Sequence, residues 1–394
     1  MTLPAHALVV TVVHHPEDAR IRHRQIASLL EAGWQVTYAA PFSGYGLPIP
    51  PSTEQLRSID VPRAVGTARL ASMRAARALL DRRGDDHDVV LLHDPELLLA
   101  VGSFHHPHVV WDVHEDTAAA ISLKPWLPAG LGRPAAWAVR RIERRAERRH
   151  HLLLAEDAYQ SRFRKRHPVV PNTTRVPASP PPPDDPRVVY VGHLSRARGV
   201  HELVELSRLL APSGIAVQAI GHADQAATAA LTAPSSQVDW LGFLPHDEAM
   251  KHVDGALAGL SLLHDEPNYR HSQPTKVVEY MAHGVPVITT PLPRAEHLVT
   301  SVGSGVVVPF GAPAVGRSRA GSRGPAAASS DGSCAASEVA SAVADVVLAL
   351  QADPVARLRM GTLGHRHAAD HLDWARRSGE FVSRLGAIAN APDR

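Results

Sequence analysis

Cysteine is the scarcest residue of this sequence, since Cys334 is the single one among 394 residues. One cysteine excludes internal disulfides and any zinc site built on several cysteines, and it favours a reducing compartment such as the cytoplasm. No run of about 18 apolar residues suggests a membrane span, and the opening MTLPAHALVVTVV lacks the charged start of a signal peptide. Neither half has a first strand leading into a G-x-G-x-x-G turn, which disfavours a dehydrogenase.

The overall composition is that of a globular protein, with 44% apolar and 20% charged residues. The chain is too long for one ordinary core, so two domains with a cleft between them are expected. The net charge of +2 at pH 7 points to no particular partner.

Short apolar runs alternate with helical stretches along both halves of the chain. The first set contains ALVVTVV, WQVTYAA, DVVLLH, HVVWDVH and HLLLAE, and the second contains RVVYVGHL, IAVQAIGH, VDWLGFL, GALAGLSLL, VPVITT and GSGVVVPF. This rhythm predicts mostly parallel sheets covered by helices on both faces, and hence two doubly wound α/β domains.

Composition also places the domain boundaries. Residues 1–172 form the predicted N-terminal domain, and the proline-rich stretch at 173–186 is a stiff linker. The C-terminal domain covers 187–370, interrupted by a Gly/Ser/Ala-rich segment at 311–337 that we interpret as a disordered loop. Residues 371–394 form a terminal helix that could pack back on the N-terminal domain.

The stretch PTKVVEYMAHGVPVITT at 274–290 predicts a helix, a tight turn and a buried strand. Pro274 suits a helix start and Gly284 a helix end. The free N–H groups of such a start can bind a phosphate, Lys276 would add a positive charge, and Glu279 could reach two vicinal ribose hydroxyls. Alternatively, the stretch is an ordinary amphipathic helix with a solvated glutamate.

Several stretches, taken in order, resemble the retaining GT-B glycosyltransferases of family 4. Those of the second half are RVVYVGHLSRARGVHELVEL, VDWLGFLPHDEAMKHVDGALAGLSLL, and PTKVVEYMAHGVPVITT followed by Glu296. In the first half GWQVTYAA, LLHDPELLLA, WDVHE and VVPN fall where the family would place them. The resemblance covers the chain except 311–337, and it implies two Rossmann-like domains that face each other across a cleft.

The resemblance also implies a function, the transfer of a sugar from a nucleoside-diphosphate donor with retention of configuration. The leaving phosphate would itself take the acceptor proton, so that no protein nucleophile is needed. The residues assigned to the donor are Gly192, His193, Arg198, Thr275, Lys276, Glu279 and Glu296. Catalysis is assigned to Arg198 and Lys276, which would stabilise the charge on the leaving phosphate, and to His114 near the transferred sugar.

Acceptor contacts are assigned to polar residues that follow two strands of the first half. They are His14, His15, Asp18, Arg20 and Glu115. Each could instead belong to an ordinary helix entry or cap. One departure from the family is His271, which stands at a position where members often have an acidic residue, eight before Glu279.

Charge and histidine content bear on three further possible partners: a metal ion, a membrane and nucleic acid. The 25 histidines are scattered and lack a matching carboxylate pattern, so no metal or other cofactor is predicted. The stretch RRIERRAERRHH contains the basic run Arg140–Arg149, which fits either a solvated, salt-bridged helix or attachment to an anionic membrane. Nucleic acid is not expected, because aromatic interleaving and a recognition motif are missing.

The preferred function is therefore that of a glycosyltransferase acting on a glycan, lipid-linked or small-molecule acceptor, in the cytoplasm or on the inner face of the membrane. Two alternatives use the same scaffold. A nucleotide-sugar 2-epimerase would need carboxylates placed for proton transfer, which the sequence does not suggest. A non-catalytic binding protein is the other, and Arg198, Lys276 and Glu279 argue against it.

Overall fold

The computed structural model describes residues 4–102, 104–114, 117–118, 132–266, 269–270, 273–311 and 331–392, without the side chains of 331–334. The chain divides into two compact units. The first unit comprises Met1–Asn172 and Trp374–Arg394, and the second comprises Thr173–Asp373. The C-terminal segment thus folds with the first unit.

The first unit is built on a six-stranded parallel sheet in the order β3-β2-β1-β4-β5-β6. Its strands are β1 His6–Val10, β2 Gln35–Ala40, β3 Leu56–Asp60, β4 Val89–Leu92, β5 Val109–Val113 and β6 His151–Leu154. Five of them coincide with the predicted apolar runs, because strands covered on both faces are continuously apolar. The sequence analysis missed β3, an edge strand in which Leu56 alone is buried.

Helices cover both faces of this sheet. The helices are a π-helix Ile21–Ile26 running into α1 Ala27–Glu31, then α2 Arg69–Arg83, α3 Leu97–Val101, α4 Gly132–Arg149 and the C-terminal α12 Trp374–Ala389. Buried residues of α1 and α12 pack on one face, and buried residues of α2 and α3 pack on the other. Trp374 is buried and its Nε1 donates to Ser28 Oγ at 2.8 Å, which ties the C-terminal helix to the first unit.

The second unit repeats the design with a six-stranded parallel sheet in the order β12-β11-β10-β7-β8-β9. Its strands are β7 Asp185–Val191, β8 Ala216–Ile220, β9 Val238–Trp240, β10 Ala256–Ser261, β11 Val287–Thr289 and β12 Gly305–Val307. Its helices are α5 Val200–Leu210, α6 Gln225–Leu231, α7 His246–Val253, α8 Thr275–Ala282, α9 Pro293–Val302, α10 Asp331–Ala352, α11 Pro354–His367 and a π-helix Ala368–Leu372.

The two sheets have the same strand order when the first is read from β3 and the second from β9: third, second, first, fourth, fifth, sixth. In such a sheet the chain reverses its direction of progress between the first and fourth strands, and ligands bind at the carboxyl ends of these two strands. The reversal falls between β1 and β4 in the first unit and between β7 and β10 in the second. Each unit therefore has one expected ligand-binding edge.

The segment predicted as a disordered loop at 311–337 is shorter than expected, because α10 already begins at Asp331. Residues 312–330 lie outside the described residues. The part Ala335–Ala352 of α10 is long and apolar enough to cross a membrane, which the sequence analysis overlooked. Its residues Val339, Val343 and Val347 are buried in the core with α5, so that a core helix explains its composition.

Candidate active site

The turn after β7 begins the ligand-binding edge of the second unit. Gly192 has a φ of 128°, a conformation that side-chain-bearing residues rarely adopt. A Cβ on Gly192 would lie 3.3 Å from Lys276 Nζ, and a Cβ on Gly221 would lie 2.1 Å from the carbonyl oxygen of Gly192. The turn therefore needs glycine at both positions to admit the lysine and the neighbouring backbone.

Lys276 lies in the first turn of α8, which follows Pro274 and ends two residues before Gly284. Its side chain is buried, with 6% of the residue exposed, and Nζ lies 3.5 Å from the centre of the Tyr190 ring. Within the described part of the chain Nζ has no hydrogen-bond partner. Burial and the nearby Arg198 guanidinium hold the pKa of Lys276 well below its usual value, although Glu279 acts in the opposite direction.

Arg198 ends a 3₁₀ turn, Arg196–Arg198, behind β7. Its guanidinium lies over the Tyr269 ring at 5.6 Å, and Nε is 3.4 Å from Tyr269 Oη. The next residue, Gly199, has a φ of 87°, and a Cβ there would lie 2.6 Å from the Leu262 carbonyl oxygen beyond β10. The close approach of these two backbones brings Arg198 to the edge between β7 and β10.

His193 and Glu279 complete this cluster. Partial burial and the Arg198 guanidinium lower the pKa of His193, so that the ring is neutral more often than an exposed histidine. Glu279 is buried one turn after Lys276, and its Oε1 lies 3.9 Å from His246 Nδ1 at the start of α7. The edge thus combines positive groups, a helix N-terminus and one buried carboxylate.

Two other residues assigned to the donor lie at helix starts. Thr275 is exposed as the first residue of α8, next to Lys276. Glu296 is exposed in the first turn of α9, and its carboxylate makes no hydrogen bond or ion pair within the described residues. His271, where the family often has an acidic residue, lies outside the described residues.

His114 follows β5 at the ligand-binding edge of the first unit. Its Nε2 lies 3.0 Å from the His93 carbonyl oxygen, and its ring stacks on that of His14 with centroids 4.6 Å apart. Burial first, and then the positive charge that His14 can carry, lowers the pKa of His114 to about 3. A neutral ring that donates through Nε2 leaves Nδ1 as an acceptor, which could receive a hydroxyl proton in a hydrogen bond.

His14 itself is held by Asp94, which follows β4. His14 Nε2 lies 3.2 Å from Asp94 Oδ1, while Asp94 Oδ2 accepts hydrogen bonds from Thr11 Oγ1 at 2.9 Å and from the amides of Val12 and Val13. The carboxylate therefore fixes the loop after β1 and the orientation of the His14 ring.

His15 and Asp18 occupy the rest of that loop. The His15 ring packs edge-on against Tyr45, with centroids 4.7 Å apart. Asp18 Oδ1 accepts hydrogen bonds from the amides of Arg20 and Ile21, as a cap would. Burial opposes ionisation of Asp18, but His14 and the Ile21 amide outweigh it and lower its pKa.

Arg20 lies inside the first unit, with its guanidinium used by the protein itself. It donates to both oxygens of Asp112 at 2.8 and 2.7 Å and to Asn172 Oδ1 at 3.0 Å. Gln25 Nε2 also donates to Asp112, whose pKa is well below its usual range: burial opposes ionisation, but Arg20 outweighs it. Arg20 thus holds Asp112 and Asn172 inside the unit, whereas the sequence analysis assigned it to the acceptor. Glu115 lies outside the described residues.

One group of side chains could hold a metal ion by composition. The candidate ligand atoms of His93, Asp112 and His114 lie within 4.8 Å of one another. However, Asp112 is already bound by Arg20, and His114 Nε2 is directed at a backbone carbonyl. A second cation beside a buried guanidinium would be repelled, so Asp112 fits its ion pair with Arg20 better than a metal site.

The predicted basic run lies on α4, and its charges are divided between two faces. Glu143 is buried and pairs with Arg140 and Arg162, and Glu147 is buried and accepts from the amides of Arg164 and Lys165. The opposite face is exposed and carries Arg141, Arg144, Arg145, Arg148 and Trp137, the last 64% exposed. Among the described residues, Arg140 is therefore the only arginine of α4 that pairs with a glutamate of the same helix.

Several residues of the two edges escaped the sequence analysis. Tyr190 looks like any core residue of a buried strand, Tyr269 lies outside the quoted stretches, and His246 lies within one of them but was assigned no role. Asp94 and Asp112 carried a usable signal, since a carboxylate at or near the end of an apolar parallel strand is expected at the ligand-binding edge.

A comparison with family models gives a match within the second unit. Residues 185–315 match the family described as glycosyl transferases group 1. No curated protein sequence matches the chain significantly.

Solved structures are similar over nearly the whole length. Sucrose-phosphate synthase from Thermosynechococcus elongatus has a TM-score of 0.66 and 16% identity, covering 98% of this chain and 100% of that one. WaaG, a glycosyltransferase of lipopolysaccharide biosynthesis, has a TM-score of 0.64 and 13% identity, covering 96% and 99%. HepE from Anabaena, in complex with UDP-glucose, has a TM-score of 0.61 and 13% identity, covering 97% and 99%.

At these identities the structural matches establish the fold alone, and the predicted class of two Rossmann-like α/β units of the GT-B type is confirmed. The match to the donor-side unit adds the enzyme class, a glycosyltransferase that uses a nucleotide-sugar donor. Residues 185–315 thus match the glycosyl transferases group 1 family, and the solved structures extend the GT-B fold over nearly the whole chain.

Proposed function

We propose that the enzyme transfers a sugar with retention of configuration from a nucleoside-diphosphate donor bound by the second unit to a glycan, lipid-linked or small-molecule acceptor. The observation that carries this proposal is the buried ammonium group of Lys276. It lies in the first turn of α8, beside the Gly192 turn, and has no hydrogen-bond partner in the described part of the chain. A diphosphate would supply the missing negative charge.

The donor's phosphates would lie between the Gly192 turn, Arg198 and the N-terminus of α8. During transfer, the bond between the anomeric carbon and the leaving phosphate oxygen breaks, and negative charge grows on that phosphate. Lys276 and Arg198 would stabilise this charge, and the free N–H groups of α8 would contribute in the same direction. No metal ion is required for this role, and we propose a metal-independent reaction.

The ribose would bind to Glu279. Its buried carboxylate lies one helical turn beyond Lys276, so that it can accept hydrogen bonds from the two ribose hydroxyls once the phosphates are bound. His193 would add a hydrogen bond at the phosphate end. On the acceptor hydroxyl, the oxygen would bond to the anomeric carbon on the face that the phosphate leaves, and the proton would pass to the leaving phosphate oxygen.

His14 and His114 are the proposed sugar or acceptor contacts of the first unit. The neutral His114 ring presents Nδ1 as an acceptor for a hydroxyl, and Asp94 keeps His14 in a fixed orientation beside it. His15 and Asp18 lie on the same loop and would contact the acceptor from its side. This chemistry suits hydroxyl-bearing molecules in general and does not select one acceptor class.

A thermal-shift screen with UDP, GDP, ADP and dTDP and their sugars tests the donor site, with UDP first because HepE is solved with UDP-glucose. We expect one nucleotide to raise Tm at millimolar concentration. Glu279→Gln, which keeps the size of the side chain, should remove most of the shift, whereas exposed Glu248→Gln should not. No shift with any nucleotide on folded protein would favour a non-catalytic scaffold.

We further propose that the exposed face of α4 docks the enzyme on the cytoplasmic surface of an anionic membrane. The face combines arginines, whose charge the buried glutamates do not compensate, with the exposed indole of Trp137. Arginines attract acidic headgroups and tryptophan favours the interface. This placement would bring the enzyme to lipid-linked acceptors.

Vesicle co-sedimentation tests the membrane proposal. The protein should bind phosphatidylglycerol vesicles and not phosphatidylcholine vesicles, and the triple change Arg141→Gln, Arg144→Gln and Arg148→Gln should weaken binding about 10-fold or more. A matched control removes three exposed arginines of the second unit: Arg208→Gln, Arg359→Gln and Arg366→Gln. Equal losses for both triples would indicate a general charge effect and contradict a specific docking face.

A further inference from the structure

Tyr190 is a fully buried residue of β7 with two contacts to the donor site. The face of its ring lies under the Lys276 ammonium, 3.5 Å from Nζ to the ring centre. At the other end, its hydroxyl donates to the His193 carbonyl oxygen at 2.8 Å. One side chain thus contacts both the lysine and the turn that would flank the donor phosphates.

The ring matters because the ammonium has no hydrogen-bond partner within the described residues, although the Glu279 carboxylate attracts it. Lys276 Nζ is buried, makes no hydrogen bond within the described residues, and is repelled by Arg198. An aromatic face attracts a cation through its negative π-cloud, most strongly where water is excluded. Without the cation–π contact to the ring, the flexible four-carbon chain of the lysine would adopt other rotamers.

The neighbouring glycine completes the arrangement. A Cβ on Gly192 would lie 3.3 Å from Nζ and 3.5 Å from Cε, so that the ammonium occupies the space that a side chain would fill. The ring lies on one side of the ammonium and the turn on another. This leaves Nζ beside the backbone of the turn, where an incoming phosphate would have to lie.

We propose that Tyr190 is a positioning residue, which holds the Lys276 ammonium at the Gly192 turn by its ring and fixes the turn by its hydroxyl. The inference rests on the proposed donor site and names a residue that no motif of the family resemblance assigns. Tyr190 would not touch the substrate. It would act by preparing the lysine and the turn before the donor binds.

The two roles of Tyr190 can be separated by titration calorimetry with the nucleoside diphosphate that stabilises the enzyme most. Tyr190→Phe keeps the ring, and we expect binding to weaken less than about 3-fold; Tyr190→Leu removes it, and we expect about 10-fold weaker binding. Phe381→Leu is the matched control, because Phe381 is an equally buried aromatic ring that lies in α12 of the first unit. Its affinity should change less than about 2-fold.

A double-mutant cycle excludes a merely structural effect. In the Lys276→Met background, Tyr190→Leu should weaken binding less than about 3-fold, because the ring then has no ammonium to hold and only the contribution of the hydroxyl is lost. The corresponding nucleoside without phosphates should bind all variants alike. Additive losses, or equal losses for the nucleoside, would overturn the proposal.

A measurement without ligand separates this inference from the donor-site proposal. Acetic anhydride labelling followed by mass spectrometry reports how readily the Lys276 amine is reached. Tyr190→Leu should accelerate labelling of Lys276 several-fold, whereas Tyr190→Phe should match the wild type. If no nucleotide binds but this pattern holds, the donor site fails and the positioning role stands. Unchanged labelling in Tyr190→Leu would overturn the positioning role whatever the ligand results.

Discussion

The two ligand-binding edges lie at the same point of the same strand order, yet their cationic side chains have different partners. In the first unit, Arg20 is bound by Asp112 and His14 by Asp94. In the second unit, Lys276 and Arg198 lie against tyrosine rings. The carboxylate Glu279 lies one turn away, close to His246.

The difference separates an edge whose cationic side chains are paired with carboxylates from an edge whose cationic side chains lie against aromatic rings. Carboxylates that already hold a cation stabilise the fold and fix the neighbouring loops. A buried ammonium on an aromatic ring costs stability, because its lost hydration is only partly replaced. Such a cost is expected where an anion is to bind. Shared topology therefore fixes where a site forms, while a few side chains decide its chemistry.

Arg198→Met should have the largest effect on the second unit's site. Removing a cation that stabilises the leaving phosphate should lower donor turnover about 100-fold or more, since one such donor group typically contributes that much. Hydrolysis of the nucleotide-sugar donor in the absence of acceptor measures this. The control is Arg208→Met, an exposed arginine paired with Glu205 in the same unit. A loss below about 3-fold would assign Arg198 to structure and not to catalysis.

Asp112→Asn should have the largest effect on the first unit, and on stability. The change leaves the buried Arg20 guanidinium without its bidentate partner, which should cost about 3–5 kcal/mol. Urea unfolding followed by tryptophan fluorescence measures the loss, and Asp81→Asn on the surface of α2 is the control. Nucleotide binding by the second unit should persist at low urea. A cost below about 1 kcal/mol would mean that the pair contributes little to the fold.

How much the sequence predicts depends on the distance between the partners. Of the twelve strands in the described residues, eleven follow from local apolar runs, while β3 escaped because Leu56 alone is buried in it. Lys276 and Glu279 follow from a local helix start. Arg20 did not reveal its role, because Asp112 lies 92 residues away, and Tyr190 is indistinguishable in sequence from a packing residue. Local patterns predict elements; pairing between distant residues requires the fold.

Lys276→Met gives a smaller and pH-dependent effect that distinguishes the two edges. The folded pKa of Lys276 is lowered below its usual 10.5, so that between the two values the unfolded chain binds a proton that the folded chain does not. Wild-type stability should therefore rise with pH in this window and level off above about 10.5. We expect Lys276→Met to be more stable by about 1–2 kcal/mol at pH 7, with a difference that shrinks toward pH 10.

Urea unfolding of both proteins between pH 7 and 10 measures this, with exposed Lys251→Met as the control that should show no such trend. In the first unit the charged form has the opposite effect on stability, because ionised Asp112 stabilises the fold. The folded pKa of Asp112 lies below its usual value, so its stabilisation is complete at neutral pH and is lost progressively as the pH falls from the usual value to the lower one. A wild-type difference from Lys276→Met that stays constant up to pH 10 would show that the ammonium is well solvated, and the contrast between the two edges would then fail.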